Sequence, residues 1–234
     1  MHCENQEFTG VQHDGGYAEV MIAKATGLIS VPDKLSSVDA APLLCAGLTT
    51  FGGIRSASAK AGDLVAILGI GGLGHLAIQY ARHMRFEVVA IGRGKDKAEL
   101  AKNLGAHHYI DSAEASLGKA LQAMGGATLV VSTASDGKSL AEAVKGLGPC
   151  GSLLALGATA EPLGSSANDL LFGSKSIAGS LTGDPATGDA TLKFSVLTGV
   201  AAMIETIPLE RASEAYARMI SGDVRFRMVL TMGQ

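Results

Sequence analysis

Gly69, Gly71 and Gly74 stand in the spacing G-x-G-x-x-G within Gly69-Ile70-Gly71-Gly72-Leu73-Gly74. A turn of that kind lets backbone N–H groups at a helix N-terminus hold a dinucleotide pyrophosphate. The spacing alone is weak evidence, because glycine turns also join strands to helices where nothing binds. Here the apolar run Leu64-Val65-Ala66-Ile67-Leu68 precedes it, and Leu73, Ala77, Tyr80, Ala81 and Met84 follow at helical spacing. Strand, turn and amphipathic helix thus come in the order that the chemistry requires. Further on, 91–97 reads Ile-Gly-Arg-Gly-Lys-Asp-Lys. An acid in the place of Gly92 would take ribose hydroxyls and repel a 2′-phosphate. Gly92 followed by Arg93, with Lys97 and Lys95 near, favours NADP(H) and leaves NAD(H) open. The plainer reading of Arg93 and Lys95 is a solvated loop.

Other reactive residue types argue less. Cys45, judged by spacing alone, is a small packed residue, and Cys150 sits in a turn where packing is the expected role. His75 opens the helix behind the glycine turn, a place from which it could reach the cofactor, and exposure to solvent is the expected state. His107 and His108 are neighbours, so on a strand they face opposite ways and cannot serve one site. His13 lies beside Asp14 and could approach the cleft by way of the arm, but a catalytic role is not the expected one. No Ser-His-Asp arrangement or paired carboxylate argues for hydrolysis.

The elements that must position these residues alternate. Strands are expected at 64–68, 87–91, 107–110, 128–131, 152–156 and 177–181. Helices are expected between them, at 96–104, 116–124 and 139–144 as well as behind the glycine turn. Gly105 is placed to cap the 96–104 helix in the left-handed conformation. Such alternation implies parallel pairing with right-handed crossovers. The expected fold is therefore α/β, a doubly wound six-stranded parallel Rossmann sheet over 37–200. The flanks, 1–36 and 201–234, belong to a second, mainly β body. There a hairpin arm is expected at 15–22, and strand end, helix and strand between 207 and 230.

Bulk composition excludes several classes. Lys and Arg total 19 against 22 Asp and Glu, a net charge of −3, which offers nucleic acid or an anionic membrane no electrostatic attraction. No apolar run is both long and free of helix breakers, and no cationic leader precedes an apolar core. Three widely spaced cysteines make no disulfide framework, so a reducing cytoplasm is the expected compartment.

Four ordered motifs carry a resemblance. They are Asp14-Gly15-Gly16-Tyr17-Ala18-Glu19, Leu44-Cys45-Ala46-Gly47-Leu48-Thr49, the glycine turn, and Val224-Arg225-Phe226-Arg227-Met228-Val229-Leu230. Together they resemble the zinc-containing alcohol dehydrogenase family, within the medium-chain dehydrogenases and reductases. The resemblance implies an oxidoreductase that interconverts a small alcohol with an aldehyde or ketone by hydride transfer. It implies that Cys45 matches the last of three catalytic zinc ligands and that Thr49, four residues on and so on the same helical face, packs near the nicotinamide. Arg227 matches an arginine that holds the pyrophosphate, and Leu156 and Gly157 match nicotinamide contacts. The edge strand 177–181 matches the strand that pairs across a twofold axis, implying a homo-oligomer. Cys3 looks like the last cysteine of a structural zinc lobe. The other ligands of both zinc sites have no counterpart in this sequence, which reads as N-terminally truncated. Two further readings therefore stay open: a non-catalytic NADP(H)-binding module, and a zinc-independent enzyme like the quinone reductases.

Overall fold

The computed structural model describes residues 4–233. Cys3 lies outside them. The chain divides into two compact units, one running to Leu48 and resuming at Thr182, the other Thr49–Leu181.

The first unit opens with an arm that contains no strand. Apart from a bridge between Thr9 and His13 and a 3-10 turn at Ala25–Gly27, residues 4–35 are irregular. The hairpin expected at 15–22 is not formed. A strand needs a partner to take its N–H and C=O groups, and this segment pairs with no other among the described residues. Helix α1 (Ser37–Pro42) follows, its N-cap Ser36 Oγ accepting from the Asp39 N–H at 3.1 Å. It runs into a π-helical turn, Leu43–Gly47, and then into α2 (Leu48–Ser56). The helical run Ser37–Ser56 is long and apolar enough to cross a membrane, which Pro42 and the glycines disguise in the sequence; most of it is buried in the protein, as in a core helix.

Beyond α2 the expected alternation holds. The order is β1 (Leu64–Leu68), α3 (Gly74–His83), β2 (Glu87–Gly92), α4 (Lys97–Asn103), β3 (His108–Asp111) and α5 (Leu117–Ala123). Then come β4 (Ala127–Ser132), α6 (Gly137–Lys145), β5 (Leu147–Ala155), α7 (Ala167–Leu171) and β6 (Ser176–Gly179). The six strands form one sheet in the order β3-β2-β1-β4-β5-β6, every neighbouring pair parallel. This is the doubly wound sheet that the sequence implies, and strand order reverses between β1 and β4. Val65, Ile67, Val88, Val89, Val130 and Leu153 are fully buried, as in a parallel sheet covered on both faces. Gly105 takes a φ of +106° at the end of α4, the expected left-handed cap.

The chain then re-enters the first unit through α8 (Pro185–Thr198), a helix absent from the expected elements. Its interior lacks a clear apolar stripe, but its ends are marked. Asp184 Oδ1 accepts from the Thr187 N–H at 2.8 Å, Pro185 opens the first turn, and Gly199 closes the last at φ +74°. Next come β7 (Ile204–Pro208), α9 (Ala212–Ser221) and β8 (Arg227–Thr231), with β7 and β8 paired in parallel. Among the described residues the β structure of this unit is that one pair, because the arm contributes none.

Candidate functional site

β1 enters the glycine turn through Gly69 at φ +95°, a conformation that glycine alone takes without strain. Its N–H donates to the Ile91 carbonyl at 2.9 Å. A methyl group on Gly69 would stand 2.4 Å from Thr133 Oγ1, and one on Gly74 would stand 1.8 Å from the Gly69 carbonyl oxygen. Both glycines are thus demanded by the packing of the turn itself. Gly71 is not. A methyl there meets nothing within 4 Å, and its φ lies outside the left-handed region. The space above Gly71 is open, as close approach of a pyrophosphate to the backbone requires. The turn ends at α3, ten residues long, where the Leu76 N–H donates to the Leu73 carbonyl at 3.0 Å and the positive end of the helix dipole faces the turn.

His75 is fully buried, contrary to the expected exposure. Its backbone N–H and its Nδ1 both reach the Gly71 carbonyl, at 3.1 and 2.9 Å. Facing a carbonyl, Nδ1 donates, so the imidazole carries its proton there. Position in the first turn of a helix hid this role, since side chains there usually face solvent.

The other expected residues of this unit fall around the turn. Ile70 is buried, and a methyl group on Gly92, the last residue of β2, would stand 3.2 Å from its Cδ1. Arg93 is exposed, and among the described residues its guanidinium forms no ion pair or hydrogen bond. Lys97 opens α4 half-buried, whereas Lys95 is engaged by Glu114 at 2.9 Å. At the ends of the next strands, Thr133 Oγ1 donates to the Leu68 carbonyl at 3.0 Å, and a methyl on Gly157 would stand 2.8 Å from the Thr133 carbonyl oxygen. Leu156 packs against α2, where a methyl on Gly53 would lie 3.2 Å from its Cδ2, and α2 also carries the buried Thr49. Thr133 was missed by motif reading; its signal is position, just past the strand that neighbours β1 where the order reverses.

Cys45 and Arg227 fall together in the first unit. Burial holds the Arg227 guanidinium below the usual arginine range, and the nearby Cys45 sulfur opposes that shift. Cys45 is exposed and Thr49 is buried. Cys150 is likewise exposed, at φ +57° in β5, instead of packed. A catalytic zinc takes three protein ligands and an open position. Among the described residues no three His, Cys, Asp or Glu side chains gather as a metal site. Cys45 alone does not fit that metal.

Residues 72–196 match the family model described as zinc-binding dehydrogenase. The chain belongs to this family. Its relatives are oxidoreductases of the alcohol dehydrogenase type. The alcohol dehydrogenase notN of Aspergillus sp. (strain MF297-2) is 43% identical over 98% of this chain and 68% of its own length. The solved alcohol dehydrogenase of Aeropyrum pernix superposes with a TM-score of 0.89 at 28% identity, over 98% of this chain and 69% of that one. The acetophenone reductase of Geotrichum candidum, solved in complex with NAD, gives 0.84 at 26% identity, over 98% and 66%. The chain thus spans about two thirds of the length of such relatives.

Proposed function

We propose that this chain binds NADP(H) at the C-terminal edge of its parallel sheet and serves the interconversion of a small alcohol with its aldehyde or ketone. Gly71 carries the reading. The fold demands glycine at 69 and 74 but not at 71, where the open space supports close approach of a ligand to the backbone. Gly69–Gly74 and the first turn of α3 would hold the pyrophosphate, Arg93 the 2′-phosphate, and Leu156, Gly157 and Thr49 would border the nicotinamide. When bound, that cofactor supplies hydride transfer. The chain's own residues bind it, orient it and keep the turn's carbonyls occupied: His75 holds Gly71 and Thr133 holds Leu68. No metal-dependent step is assigned to the described residues.

The phosphorylated cofactor is favoured because β2 ends in Gly92 and the unpaired Arg93 guanidinium stands next to it. A charge-assisted pair with phosphate is worth about 1.5–3 kcal/mol, or roughly ten- to a hundredfold in affinity. Calorimetry on the purified chain and on Gly71→Ala tests the reading. The expected result is tighter NADPH than NADH binding by the natural sequence, and at least a tenfold loss of NADPH affinity in the variant, at unchanged melting temperature. Equal affinity of the two proteins for NADPH, or no dinucleotide binding by either, would overturn the assignment. Tight binding with no alcohol or carbonyl turnover would make the chain a binding module instead.

A further inference from the structure

The loop after β2 is held almost entirely by residues of β3 and the segment that follows it. The Gly92 carbonyl accepts from the Ser112 N–H at 2.9 Å and from Ser112 Oγ at 3.1 Å. Gly94 is gripped through both of its backbone groups. The Gly94 N–H donates to Asp111 Oδ1 at 2.9 Å, and the Gly94 carbonyl accepts from Tyr109 Oη at 2.6 Å. Asp111 Oδ1 also accepts from the Ala113 N–H at 2.9 Å, so its carboxylate ties the loop to its own strand end. These two backbone donors hold the Asp111 carboxyl below the usual carboxylate range. Burial, with Asp111 and Asp96 near, pushes the Tyr109 phenol up, so its proton stays available to donate. Gly94 itself sits at φ +93°, where a side chain would be strained. Lys95 is taken by Glu114, which leaves Arg93 as the loop cation without a protein partner among the described residues.

The same tyrosine closes the space above the end of β2. A methyl group on Gly92 would stand 3.0 Å from Tyr109 Oη and 3.2 Å from Ile70 Cδ1, closer than ordinary van der Waals contact. Tyr109 resists yielding, because its hydroxyl is bonded to the Gly94 carbonyl, and Ile70 is buried beside it. An acidic side chain at 92, the group that would take ribose hydroxyls, would therefore press on a residue seventeen positions away on a neighbouring strand, which would have to give by a few tenths of an ångström.

We infer that Tyr109 and Asp111 are positioning residues for dinucleotide choice: they clamp Gly94, present Arg93 unpaired, and crowd a side chain at position 92. The inference rests on the proposed NADP(H) reading. It makes cofactor selection a property of β3 as well as of β2. An acid introduced at 92 by itself then fails to convert the site, since the clamp resists it.

The test is a cycle of four proteins: the natural sequence, Gly92→Asp, Tyr109→Phe, and both together, with NADPH and NADH affinities measured by calorimetry beside melting temperature. Tyr109→Phe removes one hydrogen bond to the loop and is expected to weaken NADPH about fivefold while leaving NADH nearly unchanged. Gly92→Asp alone is expected to lower affinity for both cofactors. The double variant is expected to recover NADH affinity about tenfold over Gly92→Asp, a non-additive gain that general destabilisation does not produce. Asp111→Asn, which keeps the shape and one acceptor oxygen, should retain most of the NADPH preference, whereas Asp111→Ala should lose it. Additive effects in the cycle, or an unchanged NADPH to NADH ratio in Tyr109→Phe and Asp111→Ala, would overturn the clamp. Failure of the natural sequence to prefer NADPH would instead overturn the cofactor reading on which it rests.

Discussion

Val20 and Ile22 in the arm are the same residue types as Val65 and Ile67 in β1, and their fates are opposite. The arm pair is 83% and 96% exposed; the β1 pair is 0% exposed. Intrinsic β preference is equal in the two places. What differs is company. β1 lies between β2 and β4, each backbone group has a ladder partner, and helices cover both faces. The arm has neither ladder nor cover among the described residues. The comparison shows β propensity for what it is, a fit to a pleated and partly buried surface that some other part of the chain must supply.

The sharpest way to break this comparison is to truncate one residue on each side. Ile67→Ala is expected to lower stability by about 2–5 kcal/mol through lost burial and a cavity in the sheet. Ile22→Ala should stay within about 0.5 kcal/mol, as exposed substitutions do. Urea denaturation followed by circular dichroism measures both, and similar losses would mean that the arm packs as tightly as the sheet. A smaller contrast concerns aspartates. Asp136 Oδ1 accepts from the Ser139 N–H at 2.8 Å and caps α6, so Asp136→Ala should cost about 1 kcal/mol. Asp14→Ala in the arm should cost nothing measurable in the same assay; a comparable loss would reveal an organised arm.

The smallest expected effect is on pH dependence. His107 Nδ1 accepts from the Val88 N–H at 2.9 Å, and Arg82 Nη1 lies against its Nε2. Burial and the Arg82 charge hold the imidazolium below its ordinary 6.5, with Glu87 opposing and His108 adding to the shift. The unfolded chain therefore takes up this proton at higher pH than the folded one. The contribution to stability is complete above about 6.5 and is lost as pH falls through the lowered folded value. The side chain is largely exposed, so the effect is modest. His107→Gln should flatten the decline in melting temperature between pH 7.5 and 5.5. An equally steep decline in the variant would place the titration elsewhere.

Most of the sheet was legible along the chain because each strand is a short β-branched or aliphatic run and each helix a stripe at helical spacing. The glycine turn was legible for the same reason, since it joins one such pair. Helix α8 was not, because Thr and Gly interrupt its apolar stripe and only its capping residues announce it. The 15–22 hairpin was expected from the arm's own alternation, which carries no information about a missing partner. Tyr109 and Asp111 drew no notice in the sequence, since neither belongs to a motif and both act on residues of another strand.

The sequence by itself determined the alternation of strands and helices, the turn at Gly69–Gly74, and the absence of an acid at position 92. These follow from local spacing and from residue size, which nearest neighbours decide. Only the tertiary structure decided which glycine is left open to a ligand, that His75 turns inward to the Gly71 carbonyl, and that β3 guards the end of β2. Those depend on parallel pairing, which brings residues far apart in the chain to the same end of the sheet, where a few tenths of an ångström decide how easily a side chain is taken in.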